Sequence, residues 1–151
     1  MTKYLLTLAL AASVTTIALA QAQPKQEQAK PAAMSKTLTL AQGTWVMTNA
    51  NGQDLTGAPE VTVTITGDKY AQAAAGNVEE RGSFKLDESK KPMWIDITVI
   101  EGNDAGKSQV GVIEVTDTTM RGKFSEPGGT VRPTDFTPAD GYFVFTATKR
   151  K

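Results

Sequence analysis

The strongest pattern in the chain is alternation with a period of two. Met93, Ile95, Ile97 and Val99 alternate with Trp94, Asp96, Thr98 and Ile100, so the two sets face opposite sides of one half-buried antiparallel strand. Val61, Val63 and Ile65 alternate with Thr62, Thr64 and Thr66 in the same way. The run Ser108 to Val115 is rich in β-branched residues and apolar on both sides, through Val110 and Val112 on one parity and Ile113 and Val115 on the other.

Turn signals separate these runs. Asn51-Gly52, Thr56-Gly57, Gly67-Asp68, Gly76-Asn77 and the polar stretch Asp87–Pro92 each interrupt the pattern, and glycine and asparagine supply the positive φ that tight turns require. Further strands are expected over Gly43–Met47, Lys69–Ala75, Val78–Leu86, Thr119–Phe124 and Tyr142–Thr148, with a short helical turn over Leu38–Gln42. The segment from Glu126 to Pro138 carries three prolines and is expected to be loop, since proline cannot donate to a central ladder. About eight short strands at roughly 8–12-residue spacing predict an all-β domain. Consecutive antiparallel hairpins leave no exposed edge if they close into an up-and-down barrel. The alternative is a two-sheet sandwich.

The first residues do not belong to that domain. Met1-Thr2-Lys3 is a short basic start, Tyr4 to Ala20 is apolar or small, and Ala18-Leu19-Ala20 and Ala20-Gln21-Ala22 both fit a small-x-small cleavage pattern. Residues 1–20 therefore read as a signal peptide, with a retained membrane anchor as the alternative. Residues 21–37 (QAQPKQEQAKPAAMSKT) have too little apolar surface to offset the entropy of ordering them, and read as a disordered linker. Residues 38–151 form the single expected β domain, in an exported protein of the periplasm or beyond.

Composition narrows the chemistry. With no cysteine and no histidine among 151 residues, the chain has no disulfide framework, no thiol nucleophile and neither of the commonest soft or borderline metal ligands. Sixteen basic residues balance sixteen acidic ones, so no electrostatic footprint for nucleic acid or an anionic membrane stands out. No cofactor or metal is expected, and the domain is expected to be a monomer.

Several local features have a plain reading and a sharper one. Gly102–Ser108 (GNDAGKS) looks like a phosphate loop, but position 101 is Glu and a strand follows where a helix is required; a hairpin turn is the reading. Glu101, Asn103 and Asp104 lack the ligand spacing of a calcium loop. Glu79, Glu80, Arg81, Lys90 and Lys91 read as solvated turn or edge residues. Asp96, mid-strand beside Trp94, shares an outward face with Thr98 on the plain reading and lines a cavity on the sharper one. Carboxylate-only hydrolysis would need Asp96 to meet Glu114 or Asp135 across a cleft of about 5–9.5 Å.

Gly43-Thr44-Trp45 on the first strand resembles the entry motif of lipocalins and their calycin relatives, small barrels that carry apolar ligands. That resemblance implies a basic residue of the last strand, Lys149 or Arg150, packed over Trp45. A broader resemblance runs through Gln42–Trp45, Gly82–Asp87, Ser89–Pro92, Ile95-Asp96, Glu101-Gly102, Gly106-Lys107, Gly111 and Arg132–Phe136. These segments look like those of an uncharacterised exported bacterial domain family abundant in planctomycetes. The present chain departs from it in having no cysteine near Met120–Lys123. The resemblance implies domain extent and export, and carries no activity.

The expectation is a non-enzymatic barrel that binds a small apolar or amphipathic ligand, with Trp45, Trp94, Asp96 and Arg132 as candidate binding residues. The alternative is a packed structural domain that meets a protein partner.

Overall fold

A computed structural model describes residues 34–151. The expected signal peptide and all but the end of the expected linker lie outside the described residues. Helix α1 spans Lys36–Ala41, where a short helical turn is expected over Leu38–Gln42, and its N-cap Ser35 accepts from the Leu38 amide.

The strands then follow the alternating runs: β1 (Gly43–Ala50), β2 (Gln53–Asp54), β3 (Val61–Thr66), β4 (Lys69–Ala74), β5 (Asn77–Asp87), β6 (Met93–Glu101), β7 (Ser108–Val115), β8 (Thr119–Ser125) and β9 (Tyr142–Lys149). Each strand from β3 to β9 pairs antiparallel with the next, β1 pairs with β3, and β9 returns to β1. The result is a closed eight-stranded up-and-down barrel. The two-residue β2 is a short ribbon beside β1 that the turn signals at Asn51-Gly52 did not foretell.

Inward positions follow the period-two pattern. Trp45, Met47, Ile65, Phe84, Ile95, Ile97, Ile113, Met120, Phe145 and Ala147 form the core. The phosphate-loop look-alike is a hairpin loop, with the Gly106 amide donating to the Val99 carbonyl at 2.9 Å.

One end of the barrel is closed by α1. The indole of Trp45 donates to the Ala41 carbonyl at 2.8 Å, and the Lys149 ammonium donates to the Leu40 carbonyl at 2.9 Å. Gln42 exchanges two hydrogen bonds with Gly67 in the β3–β4 turn. The helix is thereby tied to both β1 and β9, next to the seam.

The segment 126–141 forms no strand, as its prolines predict, but it lies on the outer wall as a strap. Arg132 donates to the carbonyls of Ile95 at 2.8 Å and Gly111 at 2.6 Å and pairs with Asp96. Lys123 meets Asp135 at 3.1 Å, and the Arg121 guanidinium lies over the Phe136 ring. This cover explains why β7 is apolar on both parities: Val112 points outward yet is fully buried.

Candidate functional site

The barrel interior is not filled. A cavity of about 270 Å³ runs from Ala41 at the closed end to Pro127 near the opposite mouth. An eight-stranded barrel is just wide enough to pack solid or to hold one small molecule, so the inward side chains decide which.

Three inward glycines tip the balance. A methyl group at Gly82 would stand 2.5 Å from Tyr70 Cε1, and one at Gly122 would stand 2.5 Å from Phe145 Cε1. At Gly111 the neighbour is the ring of Phe124. The aromatic rings therefore lie against bare backbone and leave the centre of the lumen free. Phe124, Phe143 and Phe145 form one aromatic wall, with neighbouring centroids 5.5 and 6.1 Å apart.

The remaining lining is apolar, with Phe84 among aliphatic side chains, apart from Tyr70, Gln72, Glu80 and Gln109. The Tyr70 hydroxyl donates to Glu80 Oε1 at 2.7 Å. Burial first, then this bond and the carboxylate's charge, push the Tyr70 phenol far above the ordinary tyrosine range. Gln109 donates through Nε2 to the Ser125 carbonyl at 2.8 Å. Gln72 stands directly across the β4–β5 ladder from Glu80.

Glu80 corrects the expectation of a solvated edge residue. Its parity is that of Phe84 and Leu86, which was the signal available in the sequence. What obscured it is a register shift between Gln72 and Ala73, which pairs Ala73 with Val78. A bulge reverses parity, so Val78 turns outward, 47% exposed, while Glu80 stays inside.

The four candidate binding residues do not converge. Trp45 is fully buried at the closed end, with the Lys149 ammonium 5.1 Å from its ring centroid; of the two basic residues considered, Lys149 takes that position and Arg150 pairs with Glu60 on the outside. Trp94, Asp96 and Arg132 do meet, but on the outer wall. Arg132 lies 4.6 Å and Lys90 4.8 Å from the Trp94 ring centroid. Trp94 and Arg132 join Pro92 and Pro133 around an open depression of about 310 Å³. Asp96 takes the outward position of the plain reading and lines no part of the interior.

The acids considered for hydrolysis are each engaged separately, Asp96 with Arg132, Glu114 with Arg121 and Asp135 with Lys123. Glu101 at the end of β6 and Asp104 of the β6–β7 loop pair with Arg81 and Lys107. Among the described residues, no group of three or more acidic, histidine or cysteine side chains is placed to hold a metal ion.

Of the two resemblances, the β-barrel itself is what the structure bears out. Compared with models of protein families, with curated proteins and with solved structures, the chain matches none.

Proposed function

We propose that this protein is an exported, non-enzymatic barrel that holds one small apolar or amphipathic molecule. The observation that carries the reading is the interior cavity of about 270 Å³, apolar along most of its wall with a few polar groups. That is the composition of a small-molecule site, in a volume just below the usual range of about 300–1,000 Å³. The N-terminal pattern of a basic start, an apolar run and small residues at Ala18 and Ala20 supports export. Separate ion pairing of Asp96, Glu114 and Asp135 supports a non-enzymatic role. The lipocalin-like placement of a basic residue over Trp45 agrees with a carrier barrel.

A second reading, a domain that meets a protein partner, draws on the outer wall. Trp94 is 39% exposed there beside Lys90 and Arg132, and a part-exposed aromatic flanked by cations suits a contact surface.

Native mass spectrometry decides between them. The full chain would be expressed in a bacterium and purified from the periplasmic fraction, and its mass would report whether the residues before Gln21 have been removed. An adduct lost on denaturation is the result expected. A bare monomer whose Tm is unmoved across a panel of small apolar compounds would sink the carrier reading and leave the contact surface.

A further inference from the structure

We propose that the cavity selects an apolar molecule bearing a protonated amine, with Glu80 as its counter-charge. This rests on the carrier reading above and specifies its ligand class.

The argument is one of charge and donor inventory. Among the described residues, Glu80 is the carboxylate of the lining, and the lining includes no Lys or Arg. The adjacent cation Arg81 is turned to the outside, where it meets Glu101 at 2.7 Å. An anionic ligand would therefore enter an apolar space already holding a negative group and no counter-charge, which costs more than it returns. A cationic head group meets the opposite situation.

Tyr70 prepares the carboxylate for this role. Its hydroxyl donates to Glu80 Oε1 at 2.7 Å, as a phenol does at neutral pH, where it is protonated. Among the described residues Glu80 Oε2 receives no hydrogen bond, and the Gln72 side chain opposite it makes none. Gln109, with its Nε2 committed to Ser125, has its amide oxygen as acceptor. The polar groups left for a ligand include three acceptors: one carboxylate oxygen and two amide oxygens. An ammonium has three hydrogens and no acceptor. A carboxylate could accept from the amide nitrogens of Gln72 and Gln109, but it would stand beside the like charge of Glu80 with no cation in the lining to offset it.

The test uses probes matched in shape: phenethylamine, phenethyl alcohol and phenylacetate, and the series hexylamine, hexanol and hexanoate. Binding to the full chain would be measured by isothermal titration calorimetry at neutral pH. The amines are expected to bind about tenfold or more tighter than the alcohols, since a hydrogen bond to a charged group is the stronger kind, and the carboxylates weakest. Glu80→Gln keeps an acceptor for Tyr70 and should bring the amine down to the alcohol, while alcohol binding holds. Tyr70→Phe, which frees Oε1, should leave amine preference intact, so a folding defect in one variant does not decide the matter. Equal binding of the three head groups, or tightest binding of the carboxylate, would overturn the amine proposal and leave the carrier reading standing. If none of the probes binds the unaltered chain, both fall.

Discussion

The ammonium of Lys149 sits 5.1 Å above the ring of Trp45, at the point where the last strand closes on the first. The ring is fully buried and its indole N–H is bonded to Ala41, while the same lysine bonds Leu40. One contact thus joins β1, β9 and the helical plug. Trp45→Ala should cost about 3–5 kcal/mol, the usual loss for a buried large aromatic. Lys149→Met, which keeps the stem but not the charge, should cost about 0.5–2 kcal/mol. Urea titration followed by circular dichroism reads both, and a Trp45→Ala loss below about 1 kcal/mol would show that the plug is not part of the cooperative core.

Gly122 should be intolerant of the smallest side chain. A methyl there meets the rings of Phe145 and Phe124 at 2.5 and 2.8 Å, and those rings can retreat only into the cavity. Gly122→Ala is expected to destabilise by about 1–3 kcal/mol and to weaken uptake of an apolar fluorescent dye. Unchanged dye affinity with unchanged stability would mean that the glycines do not set the lumen volume.

The strap should loosen in acid. The hydrogen bond from Lys123 and then the amide of Thr137 hold the Asp135 carboxyl below the usual carboxylate range. A lowered folded value means that the contribution is complete above the unfolded value of about 3.9 and is lost as pH falls through the lower, folded value. Limited proteolysis within residues 126–141 should therefore accelerate below about pH 4. In Asp135→Asn it should be faster already at neutral pH and should lose most of this acid step. A step of the same size in both proteins would place the acid sensitivity elsewhere.

Tyr70 should govern the alkaline limit. Its folded value is raised, so its contribution is present below the unfolded value of about 10. Above that, the unfolded chain releases the phenolic proton while the folded one retains it, and stability falls with rising pH. Tyr70→Phe should flatten the decline in Tm between about pH 10 and 11.5. An identical decline in both proteins would show that the phenol is not protected in the folded state.

The outer wall was harder to read than the lumen. Alternation places Trp94 and Asp96 on one face of β6, and nothing in the sequence brings Arg132 to them. They meet because the strap carries Arg132 back across the β6–β7 ladder, bonding the carbonyls of Ile95 and Gly111. That contact spans 36 residues from Asp96 to Arg132 and leaves no periodic trace. Val112 carried a partial trace, since an outward valine on a barrel strand asks for a cover, but it does not say which segment supplies it.

What the sequence determined by itself is what repeats locally. Alternation at Val61–Thr66 and Met93–Ile100 fixes strand faces, glycine and asparagine fix the turns, and the proline-bearing segment after Ser125 excludes a ninth stave. Only the tertiary structure decided what depends on two strands at once. The bulge opposite Gln72 keeps Glu80 inside while Val78 turns out, and Tyr70 reaches Glu80 because Gly82 leaves its ring room against the wall. Whether the barrel is hollow follows from those cross-strand fits. Side-chain volume is summed over facing strands, and no single strand's pattern contains that sum.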